Sequence, residues 1–512
     1  MRGRTVVLAL TAAVAACAKP AVPLYDNLGN LHHPISSRSR AAQQYFDQGI
    51  RLSYAFNHAE AIKAFRQAAQ LDAQCAICWW GVAYASGPNI NAPMDSAGGA
   101  QAWDALQQGL RLREHASETE RAYIDALASR YGANPAADRA PRDTAYAAAM
   151  VALAARYPDD LDAGVMAAEA GMLLRPWNYY APDGSTYPGM PEVVATLERV
   201  IARDSLHPGA CHYYIHAVES SPTPARALPC ARHLEGAMPG AGHLVHMPGH
   251  VYLRLGMYAD AERVNVHAAH SDEAFIEGQP EPGFYTMAYY PHNLHFMWAA
   301  AAFDGREAAA DSAMARLLAV VTPEQVAAVP YLETFRLAHF YHLAWFEQWE
   351  RALADSAPPP SWSTSTGLWR YVRGRAFAAT GRPREAAVEL DSLRVAQRSA
   401  TRLPPAVVVG FTSPAALLDI ATDLLAGEVA ARAGRTAEAV RVLESAVRKE
   451  DALTYNEPAD WYPPTRLTLG RVLTDAGRVR AAQAVYREEL RRRPNSRMAE
   501  RGLARAAGRP TD

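Results

Sequence analysis

The chain has 512 residues, and at roughly 100–200 residues per domain it is too long for one compact core, so it forms two to four domains or one repeat array. Half of the residues are hydrophobic, which excludes a disordered chain. The 51 basic and 53 acidic side chains leave a formal charge of −2, which argues against a nucleic-acid binder.

Residues 1–17 read MRGRTVVLALTAAVAAC. Arg2 and Arg4 make a positive start, Thr5 to Ala13 a short apolar run, and Val14-Ala15-Ala16 a small-residue triplet before Cys17. The run is too short to span a bilayer, so the segment reads as a signal peptide. The triplet ending in cysteine resembles the bacterial lipobox. On that reading Cys17 is lipidated and becomes the first mature residue, with a plain secretory signal as the alternative. Ala18 follows with no Asp sorting signal, which favours the cell envelope, anchored at an outer membrane and facing the periplasm. Residues 18–40 carry Pro20, Pro23 and Pro34 and read as a tether. No later apolar run reaches the ~18 residues a membrane span needs.

From residue 41 on, the chain repeats itself. Gly374 and Gly381 precede Ala386, Gly427 and Gly434 precede Ala439, and Gly470 and Gly477 precede Ala482, at the same two spacings each time. This pattern resembles the tetratricopeptide repeat, a 34-residue helix–turn–helix with small residues at positions 8 and 20 and a turn glycine between its helices. Repeats then begin near Gly367, Ile420 and Pro463, and Pro494 falls where the pattern expects proline. Near the N-terminus Tyr45, Gly49, Leu52, Ala61, Phe65 and Ala68 fit a repeat that starts at Ala42. The expected fold is an all-α, TPR-like helix–turn–helix superhelix (an α-solenoid), with a concave groove lined by the first helix of each repeat. It divides into N-terminal TPR-like helices with a Pro-rich loop over 41–207, a histidine-rich core over 208–325 and C-terminal repeats over 326–512.

Histidines concentrate in that core. Of seventeen, ten lie between His212 and His295. With Gly256 and Gly305 as turns, repeats run over 208–241, 242–275 and from Pro291 to about Pro323, with 276–290 inserted. Steps of three and four residues keep side chains on one helix face. In this register His212, His216, Glu219, His243, His246, His250, His292 and His295 all fall on the groove face of three consecutive first helices. Neighbouring helices lie ~8–10 Å apart, close enough for opposed imidazoles to share an ion at ~2.0–2.1 Å. A metal site is the sharper expectation. A histidine-lined peptide or anion groove, or a purely structural cluster, are the plainer ones. His233, His267 and His270 fall on second helices and read as structural. Tyr213, Tyr214, Tyr289 and Tyr290 flank the histidine blocks and either gate a substrate or simply pack.

The strings GACHYYIHAVESSP, GAGHLVHMPGHVYLRLGMY and YYPHNLHFMWAA together resemble a family of bacterial TPR proteins with HYYIHAVE, HLVHMPxH and YYPHNxHF motifs. YFDQGIRLSYAFNHAEAIKAF, CAICWWGVAYASGPNINAP, LRPWNYYAPDG and NEPADWYPPTR look like its other blocks. The resemblance covers nearly the whole mature chain. It implies the repeat fold and the histidine site and leaves the reaction open. Cys211, before His212, departs from the Asn such proteins carry.

Cys211 and Cys230 fall on packed helices of one repeat and are expected to form a disulfide in an oxidising compartment. Cys75 and Cys78 form a CxxC with three readings: local disulfide, redox pair or soft-metal ligand pair. All-imidazole sites suit copper or zinc, with iron possible, as one or two ions. Glu219 would then be a ligand or a general base beside a metal-bound water. The long segments 175–189 and 276–290 are expected to close over the groove as lids or walls. Phosphate loops, nucleophile elbows and HExxH are absent, which excludes the corresponding enzyme classes. The expected function is a lipid-anchored envelope protein with a transition-metal site in its groove, for metal handling or metal-dependent catalysis. The competing expectation is an envelope scaffold that binds peptides or partner proteins without catalysis.

Overall fold

The computed structural model describes residues 22–181, 183–278 and 283–510, so the expected signal peptide and Cys17 lie outside the described residues. Antiparallel helix pairs follow one another along the chain: Arg40–Tyr54 with His58–Leu71, Ser363–Ala379 with Pro383–Ala400, Pro414–Arg432 with Thr436–Asp451, and Thr465–Asp475 with Val479–Arg492. Among the described residues β structure is limited to three isolated bridges, Asn89 with Ala92, Tyr180 with Thr186 and Val409 with Thr412. No described helix is long and apolar enough to cross a membrane.

The sequence explains the pairing locally. The turn glycines Gly256, Gly305, Gly381, Gly434 and Gly477 all sit at φ between +70° and +75°, the left-handed conformation that ends a helix at no steric cost only for glycine. Each is followed after one residue by the next helix. Within a pair, position 24 of the repeat drives a large side chain into the gap left by the small residue at position 8. Phe65 does so at Gly49, Leu443 at Gly427 and Tyr486 at Gly470, and none is more than 4% exposed, while Leu390 is buried at position 24 of its own repeat and Gly374 there is filled by Leu425 of the next one. Burying one such side chain contributes about 1.5–3 kcal/mol.

The histidine core keeps the pattern with two changes. Its first helix in 242–275 is split into Gly242–His246 and Pro248–Arg254, because Pro248 has no amide hydrogen to continue the ladder. The expected insertion over 276–290 is mostly helix: Tyr258–Glu277 runs into it from one side and Phe284–Phe303 begins inside it. Its described residues lengthen two packed helices, and Pro291 is accommodated within the second.

Residues 22–39, the described part of the expected tether, lie on the body. Tyr25 N donates to Gln48 Oε1, Gly240 N to Asn27 O, and Ser36 N to Glu120 Oε1, and Leu28 is buried. The superhelix also turns tightly enough for both ends to reach its middle. Helix Arg40–Tyr54 packs on Pro208–Val218, and Tyr258 Oη donates to Pro494 O at 2.8 Å. Tyr455, from the segment before Thr465–Asp475, reaches Glu219 at 3.2 Å.

Candidate metal centre

Four helical segments aim histidines at one point. His212 and His216 come from Pro208–Val218, with Glu219 at its C-cap. His243 and His246 come from Gly242–His246, His250 from Pro248–Arg254 and His292 from Phe284–Phe303. His212, His216, Glu219, His243, His246 and His250 are each at most 1% exposed, while His292 keeps part of its surface open. The ligand atoms form two groups, His212 with His216 and His243, and His246 with His250 and His292. Within each group they lie no more than 4.8 Å apart.

Hydrogen bonds at the back of the rings assign the protons. His212 Nδ1 lies 2.6 Å from the carbonyl of Tyr54, which can only accept. His216 Nδ1 lies 2.8 Å from Glu219 Oε1, and His250 Nδ1 lies 2.5 Å from Glu219 Oε2, close though not aligned as a hydrogen bond. His246 Nδ1 lies 2.7 Å from Asn265 Oδ1, and the Asn265 amide donates to Ala261 O, which fixes its orientation. His212, His216 and His246 therefore carry their proton on Nδ1 and turn the Nε2 lone pair inward, as metal-binding histidines do.

The front of the rings is left in conflict. The His246–His250 contact is in conflict for either tautomer of His250: with its proton on Nε2 it donates to His246 Nε2 at 2.8 Å but turns a bare Nδ1 toward Glu219 Oε2, and with its proton on Nδ1 the two Nε2 lone pairs face each other. His243 Nε2 lies 3.2 Å from His212 Nε2 and can donate to it, but His243 Nδ1 then stays buried without a partner, as His216 Nε2 does. An unmet buried polar atom costs about 1–3 kcal/mol. Protonation does not resolve the conflict at neutral pH. Burial holds His212, His216 and His250 down to about 3, and burial with neighbouring imidazoles holds His243 and His292 well below the usual 6.5. Burial, together with His250, does the same for His246. A cation that accepts several lone pairs fits this donor set.

Aromatic residues wall the pocket. Phe56 stacks on His243 with centroids 5.2 Å apart, and Tyr289 packs at 4.5 Å from the same ring. Trp177 meets His216 edge-on at 5.0 Å, and Phe296 touches both His246 and His250. Phe56 and Trp177 hold φ of 56° and 63°, a conformation that costs a non-glycine residue about 1–3 kcal/mol and persists where the surroundings enforce it. Trp177 belongs to the Pro-rich segment 175–189, which packs against the histidine helix and gives the expected wall. Tyr180 Oη donates to Ala217 O there at 2.9 Å.

His295 stands apart from the group. It stacks on Trp298 and meets Phe335 edge-on, facing the next pair of helices. Helix Phe284–Phe303 is continuous, and the neighbours of His292 on the pocket face are Tyr289 and Phe296, three back and four on, whereas three on rotates out of it. Glu219 also forms a group with His216 and His250 whose ligand atoms lie no more than 4.8 Å apart. Both oxygens are engaged by imidazoles and Tyr455, and burial raises its pKa. Its place is behind the histidines, orienting them. His267 and His270 are exposed, and His233 bonds Leu206 O at the surface. The Tyr213 ring is buried between His212 and Tyr54, whereas Tyr214 and Tyr290 bond Glu198 and Glu273 away from the pocket.

Cys211 pairs with Cys230 across 4.9 Å between Cα atoms, and Cys75 with Cys78 across 5.4 Å. His33, Asp160 and Asp162 form a further group, but His33, His207 and Tyr54 satisfy Asp162, and Tyr123 and the Ala163 amide satisfy Asp160. That network is structural, and through Tyr54 it braces the carbonyl that orients His212.

Sequence reasoning missed Asn265, Phe56, Trp177 and Tyr455. Asn265 stands at position 24 of its repeat, where the others place Phe65, Leu390, Leu443 and Tyr486. A buried amide at that position was the available signal. Phe56 and Trp177 lie inside two of the family-like blocks, and Tyr455 precedes a third. Asn89 and Asn91 of the fourth lie near the Tyr289 hydroxyl. All of these blocks converge on one pocket.

No family model and no curated protein matches the chain. Among solved structures it is similar to the Cut9 complex with Hcn1 of the APC/C (14% identity over 92% of this chain and 78% of that one, TM-score 0.33). It is also similar to yeast Tom70 (8%, 92% and 89%, TM-score 0.30) and to human IFIT1 with m7Gppp-AAAA (12%, 93% and 91%, TM-score 0.36). At such scores the assignment rests on the chain's own helix pairs and turn glycines: it is an all-α helical-repeat protein of the tetratricopeptide type.

Proposed function

We propose that the chain is a lipid-anchored protein of the cell envelope whose concave surface holds a resident transition-metal centre for metal-dependent chemistry. One observation carries this reading: imidazoles held by Nδ1 bonds to Tyr54, Glu219 and Asn265 turn their Nε2 atoms toward neighbouring imidazoles in a buried pocket. The nitrogen-only donor set suits copper or zinc, with iron as the next choice. Deep burial disfavours transit of the ion through the site. Three imidazoles per group leave a tetrahedral ion one open position, the arrangement of catalytic centres, with the partly exposed His292 at the way in. The scaffold reading is weaker, because a peptide groove needs accessible side chains and His212, His216, His243, His246 and His250 are at most 1% exposed.

Metal analysis of the purified mature protein tests the centre. At least one equivalent of a transition metal is expected after refilling, and less than about half an equivalent of every metal tried overturns the reading. For the anchor, Cys17→Ser is expected to move the protein from the membrane to the soluble envelope fraction. An unchanged distribution overturns that part alone.

A further inference from the structure

Two groups of three imidazoles raise the question of how many ions the pocket takes. A single ion of this kind accepts about four protein ligands. It would leave at least two of the six imidazoles uncoordinated. Two ions use all six. The groups adjoin, with His216 and His250 rings 5.3 Å apart and His243 and His246 rings 5.7 Å apart. Glu219 lies behind the seam. Oε1 faces Nδ1 of His216 from one group, and Oε2 faces Nδ1 of His250 from the other. One carboxylate thus sets the orientation of one ligand to each ion.

Charge narrows the metal. An imidazole binds a metal in its neutral form, and among the described residues Glu219 is the carboxylate that contacts these rings. Two divalent ions bring four charges into a buried site and need bridging anions, whereas two monovalent copper ions bring two. We propose that the pocket binds a pair of copper ions, one on His212, His216 and His243 and one on His246, His250 and His292, with Glu219 positioning both. This rests on the metal-centre reading above and adds its nuclearity, its metal and the shared positioning residue.

The test is an anaerobic titration of the mature protein with Cu(I) against a chromophoric competitor, with Zn(II) titrated in parallel. Two Cu(I) per chain are expected, falling to one in His243→Ala and to one in His292→Ala, which alters the partly exposed edge and leaves the buried core intact. Glu219→Gln is expected to weaken both ions by 10–100-fold while the melting of the metal-free protein stays close to wild type, a pattern a merely structural carboxylate would not give. Zero copper in the wild type overturns the metal reading itself. One equivalent, lost altogether in both histidine variants, overturns the pair and leaves a single centre. Weakening of only one ion in Glu219→Gln overturns the shared positioning. Two Zn(II) bound as tightly as Cu(I) overturn the choice of copper.

Discussion

Asn265→Leu separates a metal centre from a structural histidine cluster. Leucine is close to asparagine in shape and is what two other repeats place at this position, as Leu390 and Leu443. The substitution removes the Oδ1 acceptor 2.7 Å from His246 Nδ1. The stranded proton then moves to Nε2 and donates to His250 Nε2, 2.8 Å away, with the His250 proton held on Nδ1 beside Glu219. Two hydrogen bonds of the amide are lost, at about 1 kcal/mol each, against one new bond and added apolar burial, so the metal-free protein should stay within about 1 kcal/mol of wild type. The metal should suffer. His246 now presents a proton to the ion, and loss of such a back-side partner costs 10–100-fold in affinity, about 1.4–2.8 kcal/mol. Denaturant unfolding of the metal-free protein and competitive metal titration measure the two quantities. Unchanged metal affinity would refute the proton assignment. Unchanged affinity joined to a stability loss near 3 kcal/mol would show that Asn265 serves packing alone.

Alanine at His295 should leave metal loading at the wild-type level, and alanine at His342, whose two nitrogens bond Trp298 and Asp311, should do the same. Loss of metal in either would place the pocket wrongly. The metal-free protein should lose stability as pH falls. Above about 6.5 its pocket histidines are neutral folded or unfolded, while below that value the unfolded chain takes up protons that the folded His212, His216 and His250 refuse down to about 3. Each such histidine adds about 1.4 kcal/mol per pH unit to the slope, and a flat unfolding free energy between pH 7 and 5 would refute it. Replacing Cys211 and Cys230 together by serine should cost about 3 kcal/mol, the loop-closure value for a bridge spanning 19 residues, and should speed metal release, since Cys211 adjoins His212. Unchanged unfolding would remove the disulfide from the account.

The repeat fold was legible because turn glycines and small–large pairs recur at fixed spacing, and each records a local steric demand. Six of the seven histidines that the same register put on the groove face meet in one pocket, since a helix face is a matter of period. His295 stands apart from them: counted back from the Gly305 turn its repeat starts at Pro291, whereas the helix begins at Phe284. The role of Glu219 was also beyond the pattern. Spacing placed it in the groove, but only three-dimensional contact shows its oxygens turned to Nδ1 of His216 and His250. The aromatic wall was the least legible part, because Phe56, Trp177 and Tyr455 come from segments far apart in sequence and meet only through the curvature of the superhelix.

That curvature explains how a repeat array comes to hold a buried site. An open solenoid offers a groove exposed along its length, and imidazoles there would face water. In this chain the first helix pair, the loop at Trp177 and the segment at Tyr455 are brought against the histidine core, so ligands on ordinary groove positions end up at most 1% exposed. Burial then does two things at once. It lowers the imidazole pKa values, keeping the ligands neutral and ready at neutral pH, and it removes the water that would otherwise satisfy their lone pairs. Repeats elsewhere in the chain fill position 24 with an apolar side chain and gain stability from it. The central repeat gives that place to Asn265 and forgoes about 1.5–3 kcal/mol of burial. A purely structural core has no use for that exchange, and an amide that fixes the tautomer of His246 gives it one.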